Sequence, residues 1–147
     1  MNLRQLHPTL RTTLPRVLVA EDDPAFRRLV VSRLLDDGCE VYEVASGVEL
    51  LRLWSEPSWA PSGAVDLVVI DHRMPGTTGL QVIRHLRARH FTAPCILMSA
   101  FPGPELWDEA EKVGATLISK PFALGVLSGI AALALLGQDP PRTTRHA

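Results

Sequence analysis

The chain has 147 residues, 46% of them apolar, and its 15 basic and 16 acidic side chains leave a net charge of −1. That length holds one domain with a true core, and the charge balance excludes a polybasic surface for nucleic acid or anionic membrane. Lysine is rare: Lys112 and Lys120 are the only two, so where they fall is informative.

Residues 1–15 carry two prolines and no continuous apolar core. They read as an N-terminal tail and not as a secretory signal, with a cytoplasmic protein as the default. From Arg16 two kinds of segment alternate. The apolar run Val17–Ala20 closes on Glu21-Asp22-Asp23-Pro24, where Asp23 suits a helix cap and Pro24 the first turn. Phe26, Leu29, Val30, Leu34 and Leu35 then recur at helical spacing until Gly38. Val41–Val44 is a second strand, and Ser46 caps a second helix that runs to Trp54.

After a Pro/Ser-rich loop, Ala64–Ile70 reads as a third strand, apolar but for Asp66, and Thr78–Arg89 as an amphipathic third helix. Pro94–Ala100 is the fourth strand, Pro104–Gly114 a charged fourth helix, Ala115–Ser119 the fifth strand and Phe122–Gly137 the fifth helix. Apolar strands alternating with helices predict an α/β fold. It is a doubly wound (βα)5 three-layer sandwich of flavodoxin-like form, with one parallel sheet in the order 2-1-3-4-5. Residues 138–147 are polar and Pro-rich and read as a disordered tail, so one domain over 16–137 is expected. Cys39 and Cys95 match no metal or redox spacing and read as buried small hydrophobes. Between Lys120 and Asp139 no residue is charged. The fifth helix is too short and too rich in glycine for a membrane span. It is read either as an alanine-rich packed helix or, preferably, as one whose outer face meets a partner or a second copy.

In a doubly wound sheet, ligands bind at the carboxyl ends of strands, beside the point where the order reverses. Those ends carry Glu21 and Asp22, Asp71, Ser99 and Lys120. Acids packed together repel one another, and a hard divalent cation is the natural compensator. A carboxylate so placed can also act as a nucleophile on phosphorus. Asp71 as a plain strand-end cap is the bland alternative, and it is disfavoured by the four partners that the topology brings to it.

The segments VLVAEDDP, DLVVIDHRMPGTTG, ILMSA and ISKPF, in that order, resemble the signature segments of the response regulator receiver domain (CheY-like) of two-component signalling. The resemblance spans about Arg16 to Gly137. It implies that Asp71 is the phosphoacceptor and that Glu21 and Asp22 are the acidic pair for Mg²⁺, Asp22 directly and Glu21 through water. The backbone carbonyl of Arg73 would be a further metal contact. It further implies that Ser99 is the hydroxyl switch and that Lys120 is the phosphoryl-binding lysine, with a cis peptide at Pro121. The expected partners are a sensor histidine kinase or phosphotransfer protein and a downstream protein target. A homodimer through the face of fourth helix, fifth strand and fifth helix is possible, and neither nucleic acid nor membrane is expected. The chain would be a signalling module that catalyses only its own phosphotransfer and dephosphorylation. A phosphate-independent scaffold, or a receiver cut from a hybrid kinase or transcription regulator, are the alternatives. A haloacid-dehalogenase-type phosphatase would need an aspartate where Arg73 stands. His72 is expected to point away from the acceptor. Two departures stand out: Leu117 replaces the Tyr or Phe common three residues before the lysine, and Phe101 at the rim is expected to screen the acyl phosphate from water.

Overall fold

The computed structural model describes residues 14–59 and 65–138; most of the two expected tails and part of the Pro/Ser-rich loop lie outside this range. Five strands, β1 (Arg16–Ala20), β2 (Glu40–Val44), β3 (Leu67–Asp71), β4 (Cys95–Ala100) and β5 (Ala115–Lys120), alternate with five helices. The helices are α1 (Pro24–Asp36), α2 (Gly47–Trp54), α3 (Gly79–Ala88), α4 (Pro104–Lys112) and α5 (Leu124–Leu135). All strand pairs are parallel and the order is β2-β1-β3-β4-β5, as expected.

Strand alternation divides the core into two layers. Leu18, Val68, Ile70, Leu97 and Leu117 pack with Leu50, Leu80, Val82, Ile83, Leu86 and Ala110 from α2, α3 and α4. Val17, Val19, Leu67, Val69, Ile96, Met98 and Ile118 pack with Val30, Val31, Leu34, Leu127, Ile130 and Ala131 from α1 and α5. Because β1, β3 and β4 are covered on both faces, they read as unbroken apolar runs. Cys39 and Cys95 are buried thiols outside any disulfide, and burial pushes the Cys95 thiol up to about 11. Among the described residues no helix is long and apolar enough to cross a membrane.

Helix starts follow local chemistry. The Asp23 carboxylate accepts from the amides of Ala25 and Phe26, Ser46 Oγ accepts from Glu49, and Thr78 and Gln81 form a reciprocal capping box. Strand bounds depart from the expected ones where a side chain intervenes. The third strand starts three residues late because Asp66 accepts the Arg16 amide at 2.8 Å. It also runs one residue further, so that Asp71 enters the ladder opposite Met98. Arg87 ties the opposite end of the sheet together, donating to the carbonyls of Val113, Phe91 and Ala93 at 2.7–2.9 Å.

The return from β3 into α3 needs a residue without a side chain. A Cβ on Gly79 would stand 2.4 Å from the Asp71 carbonyl oxygen and 2.8 Å from Leu97 Cδ1, so the helix start lies directly on the backbone of Asp71. Gly79→Ala is therefore expected to cost about 1–3 kcal/mol by overpacking, measured by urea denaturation. Gly129→Ala, inside α5 with nothing within 4 Å of the added methyl, should instead stabilise by roughly 0.5–1 kcal/mol. Equal shifts for the two would show that the close approach at Gly79 carries no constraint.

Candidate functional site

The sheet order places β1 beside β3 and β3 beside β4. Glu21 directly follows β1, its amide bonded to the Val44 carbonyl at 3.2 Å, while Asp71 ends β3 and Lys120 ends β5. All three side chains meet. Lys120 Nζ lies 2.9 Å from Glu21 Oε2 and 3.0 Å from Asp71 Oδ1. Both carboxylates are buried, Glu21 at 1% and Asp71 at 5% exposure.

Glu21 is held at every polar atom that faces protein. Its other carboxylate oxygen accepts the Asp23 amide at 3.2 Å, and its backbone carbonyl accepts Arg27 Nη1 at 2.8 Å. Arg27 is itself anchored on Glu43 at 3.2 Å. Asp22 completes the acidic group from the solvent side: ligand atoms of Glu21, Asp22 and Asp71 all lie within 4.8 Å of one another. Three carboxylates face one ammonium here, which leaves an excess of two negative charges, the charge of one divalent cation. An all-oxygen donor set with one exposed member suits a hard cation that keeps part of its water shell.

Burial raises the Asp71 carboxyl above its ordinary value against the lowering effect of Lys120, and the Asp22 charge adds to the rise. Glu21 is raised as well, by burial first and by the Asp71 charge in addition, against its bonds to Lys120 and the Asp23 amide. For Lys120, burial acts to lower the ammonium, but the hydrogen bonds and charges of Glu21 and Asp71 outweigh it and raise the value.

The remaining expected residues divide. Ser99 is buried at 2% exposure, one residue past the Asp71 partner Met98, and its hydroxyl donates to the Ala100 carbonyl at 3.3 Å. Arg73 is exposed in the turn after β3. The Lys120–Pro121 peptide is cis, as the resemblance implied. His72 lies beside Asp71 with Nδ1 buried and without a hydrogen-bond partner among the described residues, and burial lowers its value. Leu117 is 3% exposed within the core layer of α2, α3 and α4, so this position fills the core. Phe101 stands 91% exposed in the left-handed region at φ 50°, so its ring covers little of the site in this conformation.

Two features escaped the sequence reading. Glu21 and Lys120, 99 positions apart, share an ion pair, and Phe26, read only as a core-facing residue, puts its ring 4.4 Å from Lys120 Nζ. The available signal for Phe26 was its place in the first turn after the acidic pair.

Raised folded-state values for Glu21 and Asp71 mean that ionising them opposes folding. This cost is absent below the unfolded-state value and complete above the folded-state one. In EDTA at neutral pH, Asp71→Asn should therefore raise the thermal midpoint by a few degrees, on the order of 1 kcal/mol. The gap should close on acidification, as wild type recovers the same relief by protonation. Added Mg²⁺ should stabilise wild type more than the variant. A variant that melts at or below the wild-type midpoint in EDTA would show that Lys120 already offsets the buried charge in full.

Comparison with known proteins agrees with this geometry. Residues 17–132 match the model of the response regulator receiver domain family. The transcriptional regulatory protein CiaR of Streptococcus pneumoniae is 32% identical over 110 residues, covering 74% of this chain and 46% of CiaR. The transcriptional regulatory protein PdtaR of Mycobacterium tuberculosis is 30% identical over 114 residues, covering 76% and 52%. The chain thus spans about half the length of these relatives. Among solved structures, the receiver domain of the Francisella response regulator 1452 superposes with a TM-score of 0.73 at 27% identity, over 84% of this chain and 98% of that one. A response regulator receiver domain from Clostridium thermocellum gives 0.75 at 25%, over 84% and 96%. With its five-stranded order, its acidic group at the strand ends and a family match over most of its length, the chain belongs to the response regulator receiver domain family.

Proposed function

We propose that Asp71 accepts a phosphoryl group from a histidine kinase or phosphotransfer protein in the cytoplasm, and that the chain is a signalling module and not a metabolic enzyme. The observation that carries this reading is the Lys120 ammonium 3.0 Å from a buried carboxylate at the mouth of the sheet. An Asp71 oxygen attacks phosphorus, the bond from phosphorus to the donor imidazole breaks, and the imidazole leaves with its electron pair. Mg²⁺ held by Asp22, Asp71 and the Arg73 carbonyl, with Glu21 reaching it through water, would offset the acids and the charge on the equatorial phosphoryl oxygens. Lys120 then turns from Asp71 to a phosphoryl oxygen while keeping Glu21.

The Ser99 hydroxyl, whose bond to the Ala100 carbonyl is long at 3.3 Å, exchanges that partner for the phosphoryl group. This draws on β4 and the strained turn at Phe101, which leads straight into α4. Leu117 is packed in the core, so the signal leaves through the β4–α4 turn and not through a swinging aromatic. The target is a protein, met at the face of α4, β5 and α5. A second copy is a further reading of that face, favoured by the absence of charge in α5 and by Val126, which is 46% exposed.

With Mg²⁺ and acetyl phosphate, intact-mass measurement should find one phosphoryl group on wild type and none on Asp71→Asn. Lys120→Met should slow its gain by on the order of a hundredfold. Labelling that persists in Asp71→Asn would place the acceptor elsewhere. A wild type that takes no phosphoryl group from acetyl phosphate or from any kinase of its organism would leave the scaffold reading in possession.

A further inference from the structure

Lys120 has three N–H donors to place. One goes to Glu21 and one to Asp71, at 2.9 and 3.0 Å. On a further side lies the ring of Phe26, with its centroid 4.4 Å from Nζ, well inside the range of a cation–π contact. Phe26 is in the first turn of α1, directly after the Asp23 cap. Its ring is fixed in turn by Phe122, two residues beyond Lys120, in an edge-to-face contact with centroids 5.8 Å apart and planes at 74°. Both rings pack against the core layer of α1 and α5. The start of α1 and the exit of β5 are thus joined across the ammonium itself.

An aliphatic residue would fill this space equally well, but its surface offers a cation nothing. A ring face attracts the ammonium without supplying an acceptor atom that would compete with a phosphoryl oxygen. Water, the alternative neighbour, would hydrogen-bond Nζ and let the flexible four-carbon stem swing outward. Glu21 and Asp71 alone do not prevent this, since Lys120 must loosen from Asp71 when that oxygen becomes bonded to phosphorus.

We propose that Phe26 is a positioning residue for phosphoryl transfer: its ring, set by Phe122, holds the Lys120 ammonium over the acceptor carboxylate through the exchange of Asp71 for the phosphoryl group. The inference rests on Asp71 as phosphoacceptor, but the contact can be read without any phosphoryl donor. The chain has two lysines. Lys112 pairs with Glu109 at 3.0 Å on an exposed helix face and serves as the internal reference. In a lysine-selective carbon–proton spectrum the Lys120 ε-methylene should be shifted upfield by the ring, and Phe26→Leu should return it to the position of Lys112.

Phosphorylation by acetyl phosphate and Mg²⁺ is the second readout. Phe26→Leu, with Phe26→Met as a second aliphatic variant, should slow it about three- to tenfold, and Phe26→Tyr should recover most of the rate. In a Lys120→Met background the same Phe26 substitution should change nothing further, because the ring then has no cation to hold. Thermal unfolding of each variant identifies any that fails to fold. Aliphatic variants as fast as wild type, or a slowing that is just as large without Lys120, would reduce Phe26 to packing and overturn the proposal. A Lys120 methylene unshifted in wild type would overturn the contact itself. If wild type shows the shift but takes no phosphoryl group, the acceptor reading fails and the positioning role fails with it, while the ring contact stands.

Discussion

A single ammonium holds together the acids that this fold gathers at one end of its sheet. Lys120 reaches Glu21 and Asp71 at the same time, and without it two buried carboxylates would face each other with only backbone amides to offset them. Burial of such a pair is costly unless charge is supplied nearby. The cost is only partly met, since both carboxyls remain above their ordinary values. The remaining excess of negative charge suits the acidic group to a cation, and in the proposed function that cation would offset the charge of a phosphoryl group. The uncompensated charge falls at the place where the proposed function puts the chemistry.

The rest of the structure serves that arrangement. Parallel strands with matched ends bring Glu21, Asp71 and Lys120 level, and the close approach at Gly79 seats α3 on the Asp71 backbone. The ring pair of Phe26 and Phe122 ties α1 to the exit of β5. Each contact constrains backbone or stem, so the Asp71 carboxylate is presented by elements packed directly on one another. The strained turn at Phe101 and the Ser99 hydroxyl, with its long 3.3 Å bond, lie one strand away, and in the proposed function they are the parts that rearrange.

Much of this was legible in particular residues. Asp23-Pro24, Ser46 and Gly38 marked helix ends, and each one works as its chemistry requires. The apolar runs marked covered parallel strands, and polar residues at their ends named Glu21, Asp22, Asp71, Ser99 and Lys120 as a group. Strand limits were less legible. Asp66 caps the neighbouring strand and delays β3, while Asp71 stays within the ladder; both depend on what the adjacent strand offers. Phe26 read as one more apolar residue, and Leu117 only as a departure from the usual aromatic, because periodicity reports which face is buried but not what lies against it.

By itself, then, the sequence determined the alternation of strands and helices, the parallel sheet, and which carboxylates and lysine would stand at its open end. Local spacing, caps and the position of polar residues after apolar runs are sufficient for that. Only the tertiary structure decided that Lys120 would bridge Glu21 as well as Asp71, that a ring would lie against its ammonium, and that Leu117 would be core. These are contacts between residues up to 99 positions apart, and their distances follow from strand order and helix packing, which no local pattern encodes.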